Sequence, residues 1–130
     1  MAKILIIEDD KFLRELISQK VAREGYEVLD AVDGESGLKM AQAESPDLIL
    51  LDLILPGMDG FEVLSRIKGD EKTGKVPVVI ISNLGQKDDV DKGMAMGAAD
   101  YLIKAHFTPG EIVEKIASVL SSGKDSAAAA

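Results

Sequence analysis

The stretch Leu48-Ile-Leu-Leu-Asp52-Leu-Ile-Leu55 decides how the rest of the chain is read. Leu48 to Leu51 has no polar alternation, so it does not fit a strand with one wet face. It fits a parallel strand covered on both faces. Four other short apolar runs read as strands: Ile4 to Ile7, Val28 to Val32, Val76 to Ile81 and Ala99 to Ile103. Helical patterns lie between them, near residues 11–24, 34–44, 58–68, 86–96 and 109–121. In the first, Leu13, Leu16, Ile17 and Val21 form one apolar stripe, and Gly25 stands where a glycine would cap the helix end. In the last, Ile112, Val113, Ile116, Ala117 and Leu120 do the same. The fourth pattern, with Met94, Ala95 and Met96 among glycines, is the least periodic. Strands alternating with helices in this way predict an α/β fold, a (βα)5 doubly wound parallel five-stranded sheet with right-handed crossovers.

Composition agrees with one domain of that kind. The chain has 130 residues, 46% hydrophobic and 29% charged, enough for a single core and too apolar for general disorder. Its net charge of −8 argues against binding DNA or RNA, whose phosphate backbones are held by clustered lysine and arginine. With no cysteine there are no disulfides, thiolate metal sites or cysteine nucleophiles. Acids follow the first short apolar run at Glu8, Asp9 and Asp10, and no run reaches the roughly 18 residues of a membrane span. A cytoplasmic location without membrane contact is the expectation. The polar segment Gly69 to Lys75 reads as a surface loop. The expected domain covers residues 1–122, and 123–130, alanine-rich and without apolar period, reads as a disordered tail.

In open parallel sheets ligands bind beyond the carboxyl ends of the strands, so the residues just after each run carry the chemistry. Glu8, Asp9 and Asp10 follow the first run and Asp52 the third. The fourth ends in Ser82-Asn83, and the fifth runs into Lys104. Asp52 is the most informative, because an ionised carboxylate within so apolar a stretch is costly unless it is paired or metal-bound. The plain alternative is a loop aspartate capping amides before Pro56-Gly57. Asp10 reads equally well as the N-cap of the first helix, which leaves Glu8 and Asp9 for the chemistry. Ser82 or Lys104 alone would be unremarkable, and the isolated His106 reads as a surface residue.

Taken together, Ile7-Glu8-Asp9-Asp10, Leu51-Asp52-Leu-Ile-Leu-Pro-Gly-Met-Asp-Gly60, Ile81-Ser82-Asn83 and Asp100-Tyr101-Leu-Ile-Lys104 resemble the receiver domain of two-component response regulators, the kind found in chemotaxis. The intervals of 43, 30 and 22 residues between Asp9, Asp52, Ser82 and Lys104 fit that family, and the resemblance spans roughly residues 3–121. It implies a flavodoxin-like strand order 2-1-3-4-5, with Glu8, Asp9 and Asp52 crowded in one crevice. Repulsion there favours a proton or a cation. The resemblance implies Mg2+, coordinated by Asp9, Asp52 and the backbone carbonyl of Ile54, with Glu8 acting through water. Asp52 would accept a phosphoryl group from the phosphohistidine of a sensor histidine kinase or a histidine phosphotransfer protein. Lys104 would neutralise the transferring oxygens. Ser82 would bond a phosphoryl oxygen, Tyr101 would turn inward behind it, and the face of the fourth helix, fifth strand and fifth helix would meet a downstream protein. Such a domain is a phosphoacceptor switch with its own phosphotransfer and autodephosphorylation activity, not an enzyme acting on a metabolite.

Three departures from the family pattern stand out. Asn83 follows Ser82 where a small residue is usual, which would narrow access to the phosphoryl group. Gly37 stands where alanine is common, an expected small local cost in the second helix. Ala105 follows Lys104 in place of proline, so a trans bond and a loosely held Lys104 are expected. Competing chemistries fit less well. A haloacid-dehalogenase-type phosphatase needs a second acid two residues after its nucleophile, and a Toprim nuclease wants Asp-x-Asp; here that position is Ile54. A flavodoxin needs a phosphate-holding loop where Glu8, Asp9 and Asp10 would repel one. The remaining alternative is a pseudo-receiver that docks partners without being phosphorylated.

Overall fold

The computed structural model describes residues 1–129, with 123–129 by backbone alone. The expected tail at 123–130 therefore lies outside the fully described residues. Five parallel strands, β1 (Lys3–Ile7), β2 (Glu27–Ala31), β3 (Leu48–Leu51), β4 (Val78–Ser82) and β5 (Asp100–Ile103), form one sheet in the order β2-β1-β3-β4-β5. The connecting helices are α1 (Lys11–Arg23), α2 (Gly34–Glu44), α3 (Gly60–Gly69), α4 (Lys87–Ala95) and α5 (Pro109–Ala129). The doubly wound architecture and the strand order are those expected.

Strand alternation builds two cores. Leu5, Ile7, Ile49 and Leu51 face Ala41 of α2 and Val63, Leu64 and Ile67 of α3. Ile4, Ile6, Leu48 and Leu50 face Ile17 and Val21 of α1 and Ile112, Val113 and Ile116 of α5. Both faces of the central strands are dry, which explains why β1, β3 and β4 show no polar alternation in sequence. Among the described residues no helix is long and apolar enough to cross a membrane.

Register then places the chemistry. Ile7 pairs with Ala31 on one side and Leu51 on the other. The residues that follow β1 and β3, Glu8 and Asp52, are therefore neighbours at one edge of the sheet. Ser82 pairs with Ile103, which brings Lys104 to the same edge.

Local signals set the helix ends. Asp10 accepts a hydrogen bond from Leu13 N at 3.2 Å and caps α1, as expected of it, while Gly25 takes φ +92° just past the helix end. Thr108 and Glu111 cap α5 reciprocally: Glu111 N donates to Thr108 Oγ1 at 3.2 Å, and Thr108 N donates to Glu111 Oε1 at 2.9 Å. Pro109 opens that helix. Elsewhere the boundaries move. α3 begins at Gly60 and not near 58, because Asp59 caps it after the turn at Gly57 (φ +77°). The polar loop after α3 has a buried anchor: Thr73, 2% exposed, donates to Ile67 O at 2.7 Å. A short 3-10 helix at Lys104–His106 was not anticipated.

Gly37 corrects its expectation. A Cβ there would lie 2.4 Å from Ile7 Cδ1 and 2.8 Å from Ile7 Cγ1, with Ile7 fully buried. The glycine makes room for the last side chain of β1 and is not merely a weak helix former.

Candidate functional site

Glu8 and Asp52 are 1% and 2% exposed, whereas Asp9 is open to solvent. Carboxylate oxygens of the three lie within 4.8 Å of one another. Carboxyl groups in so dry a place call for a positive neighbour whenever they carry charge. Lys104 supplies it: its Nζ is 2.7 Å from Glu8 Oε1 and 2.8 Å from Asp52 Oδ2. The Lys104–Ala105 bond is trans, since the described residues contain no cis peptide. The lysine is nonetheless not loose, contrary to expectation. The 3-10 turn that begins at Lys104 and its two ion pairs aim the ammonium into the crevice.

Backbone amides orient each acid. Glu8 Oε2 accepts from Asp10 N at 3.0 Å, and Glu8 N donates to Ala31 O at 3.0 Å. Asp52 Oδ1 accepts from Ile54 N at 3.2 Å, and Asp52 N donates to Ile7 O at 3.0 Å. Burial pushes the Glu8 carboxyl up to about 7; the Asp52 charge adds to the rise, and Lys104 and the Asp10 amide oppose it. For Lys104 burial works downward, but its bonds to Asp52 and Glu8 outweigh that and hold it above the ordinary lysine range. The buried Oε1 of Glu8 lies 2.7 Å from the Lys104 ammonium and has no other partner among the described residues.

Ser82 is fully buried, and its Oγ accepts from Leu84 N at 3.2 Å. Tyr101 is already inward, its hydroxyl donating to Leu84 O. An inward ring is the placement the resemblance implies, and Gly93 of α4 gives it room: a Cβ there would meet Tyr101 Cδ2 at 3.0 Å. Burial raises the Tyr101 hydroxyl's pKa, and the charges of Asp89 and Asp52 add to it. The Ile54 side chain is 53% exposed beside the crevice. Asn83 and His106 are exposed.

The structure therefore brings Glu8, Asp9, Asp52 and Lys104 together, with Ser82 and Tyr101 linked through Leu84. Pattern reading misses two participants. Leu84 acts through its backbone, which leaves no trace in residue type. Arg14, whose Nη1 donates to the Glu8 carbonyl at 2.8 Å, looks in sequence like any helix-surface arginine.

Three converging carboxylates are the hard-oxygen donor set that a small divalent cation takes. The residues present thus fit Mg2+.

Comparison with known proteins gives consistent matches. The family model described as the response regulator receiver domain matches residues 4–117. The chain is 44% identical over 119 residues to the DNA-binding dual master transcriptional regulator RpaA of Synechocystis, covering 92% of this chain and 48% of that protein. It thus spans about half the length of such curated relatives. A CheY-like response regulator receiver domain protein from Methanospirillum hungatei superposes with TM-score 0.89 at 26% identity, covering 97% of this chain and 98% of that one. The Mn2+-bound form of response regulator Rcp1 superposes with TM-score 0.78 at 30% identity, covering 91% and 93%.

Proposed function

Since the chain belongs to the response regulator receiver domain family, we propose that it is a phosphorylation-dependent signalling switch whose Asp52 accepts a phosphoryl group from a protein phosphohistidine. The observation that carries this reading is a buried carboxylate, Asp52, held 2.8 Å from the Lys104 ammonium among further acids. One Asp52 oxygen forms a bond to phosphorus as the P–N bond to the donor imidazole breaks. The imidazole keeps that electron pair and leaves neutral once protonated. Lys104 follows the charge from the carboxylate to the phosphoryl oxygens. Asp9, Asp52 and the Ile54 carbonyl would hold Mg2+, with Glu8 acting through water, and the ion when bound would supply positive charge for those oxygens. That the similar response regulator Rcp1 has a Mn2+-bound form supports divalent-cation binding by a chain of this kind.

The donor is a sensor histidine kinase or a histidine phosphotransfer protein, and exposed apolar residues near the crevice suit a protein donor. Phe12, Val32 and Ile54 are 73%, 47% and 53% exposed, on segments that follow β1, β2 and β3. Ser82 then turns its hydroxyl from Leu84 N to a phosphoryl oxygen. Because Tyr101 is bonded to Leu84, the change reaches β5 and the faces of α4 and α5, where an unidentified downstream protein binds. With net charge −8, these residues are not themselves expected to hold DNA.

Mass spectrometry after incubation with Mg2+ and acetyl phosphate tests the reading. The expected result is a gain of roughly 80 Da in wild type, the mass of one phosphoryl group, and none in Asp52→Asn. No gain with any donor, phosphorylated histidine protein included, would leave a docking module that is never phosphorylated.

A further inference from the structure

Arg14 lies on α1, and its side chain is 11% exposed. Its guanidinium reaches the segment after β1 and the end of β2 at once. Nη1 donates to the Glu8 carbonyl at 2.8 Å, and Nε lies 3.4 Å from Asp30 Oδ2 near the end of β2. The Arg14 amide is itself fixed by a 2.9 Å bond to Asp10 O. Glu8 is consequently held on both sides, by Ala31 O at its N–H and by Arg14 at its carbonyl. That carbonyl belongs to the peptide joining the two upper acids of the crevice. Its plane sets where the Asp9 Cα stands, and with it the direction from which the Asp9 carboxylate approaches Glu8 and Asp52.

We propose that Arg14 is a positioning residue for the acid crevice, orienting the Glu8–Asp9 peptide so that the carboxylates converge on one divalent cation. This rests on the reading of the crevice as a cation site. It differs from an electrostatic role in sign. As a bare positive charge near three acids, Arg14 disfavours a cation, and its removal would tighten Mg2+ binding. As a peptide anchor it favours the cation, and its removal loosens binding. Arginine suits the task because its planar fork can serve the carbonyl and the Asp30 carboxylate together. A lysine offers the carbonyl a donor without that second tooth.

Calorimetric titration of Mg2+ into the full chain at fixed ionic strength, well below the unfolding temperature of each variant, provides the test. Arg14→Met keeps most of the stem and removes both bonds; its Mg2+ Kd is expected to rise about tenfold or more, since losing a partner that orients the ligands of a metal site typically costs about 10–100-fold in affinity. Arg14→Lys is expected to recover part of that affinity, and Asp30→Asn to lose less than Arg14→Met. Unchanged or tighter Mg2+ binding in Arg14→Met overturns the proposal, whatever happens to its thermal stability. Should Arg14→Met fail to fold, Arg14→Lys and Asp30→Asn decide: wild-type affinity in both overturns it equally. A wild-type chain that binds no Mg2+ overturns the cation site itself, and Arg14's role with it, whereas loss confined to the variants leaves the site standing.

Discussion

Glu8 governs how the crevice responds to pH. Its carboxyl titrates near 4.5 when exposed and about 7 in the folded protein, mainly because burial penalises the charge. Between those values the folded chain binds a proton that the unfolded chain has released. Folding stability from this group is therefore fully present below about 4.5 and is lost as pH rises through about 7. Above that point the site holds an additional negative charge, so Mg2+ affinity should increase across the same window. Chemical denaturation from pH 5 to 8.5 should show the Glu8→Gln variant losing less stability than wild type as pH rises. Parallel pH profiles for the two proteins would contradict the assignment. A glutamate ending an apolar run is conspicuous in sequence, and crowding of the acids already pointed to a proton or a cation; that burial puts the proton on Glu8 was not legible, because burial depends on what the fold stacks above it.

Individual elements show where pattern reading stops. β1, β3 and β4 were legible because dry strands have no polar alternation, and α5 because Ile112, Val113 and Ile116 fall on one apolar stripe. The 3-10 turn at Lys104–His106 and the buried Thr73 were not, since neither follows from an apolar period: each rests on a short-range hydrogen bond within its own loop. Gly37 is the clearest case. In isolation, glycine within a helix costs about 0.5–1 kcal/mol against alanine. Here the methyl of an alanine would overlap Ile7, and overpacking a filled core costs about 1–3 kcal/mol. Gly37→Ala should therefore destabilise the protein by about 1 kcal/mol in urea denaturation, the overpacking cost outweighing the helix gain. In an Ile7→Val background, which removes Cδ1 but leaves Cγ1 at 2.8 Å, the same substitution should cost less. Equal effects of Gly37→Ala in both backgrounds would mean that α2 shifts to make room.

At the scale of the molecule, the sheet separates support from chemistry. Two dry cores clamp the strands from both faces, and their common carboxyl edge presents the acids and Lys104 as one charged crevice. A change in that crevice can travel outward only through something bonded to both, and Leu84 is such a link: its N–H rests on Ser82 and its carbonyl on Tyr101. If the Ser82 hydroxyl senses the phosphoryl group, Ser82→Ala should still gain roughly 80 Da at Asp52, because no atom it removes takes part in the bond change. What it removes is the differential contact that makes one conformation better than another once the phosphate is present, and without that difference no population shift follows. Amide NMR shifts across residues 84–105 on phosphorylation should then be much smaller in Ser82→Ala than in wild type. Shifts of equal size would route the signal around Ser82, through Lys104 as it leaves Glu8 and Asp52 and carries the 3-10 turn at the start of the β5–α5 connection with it.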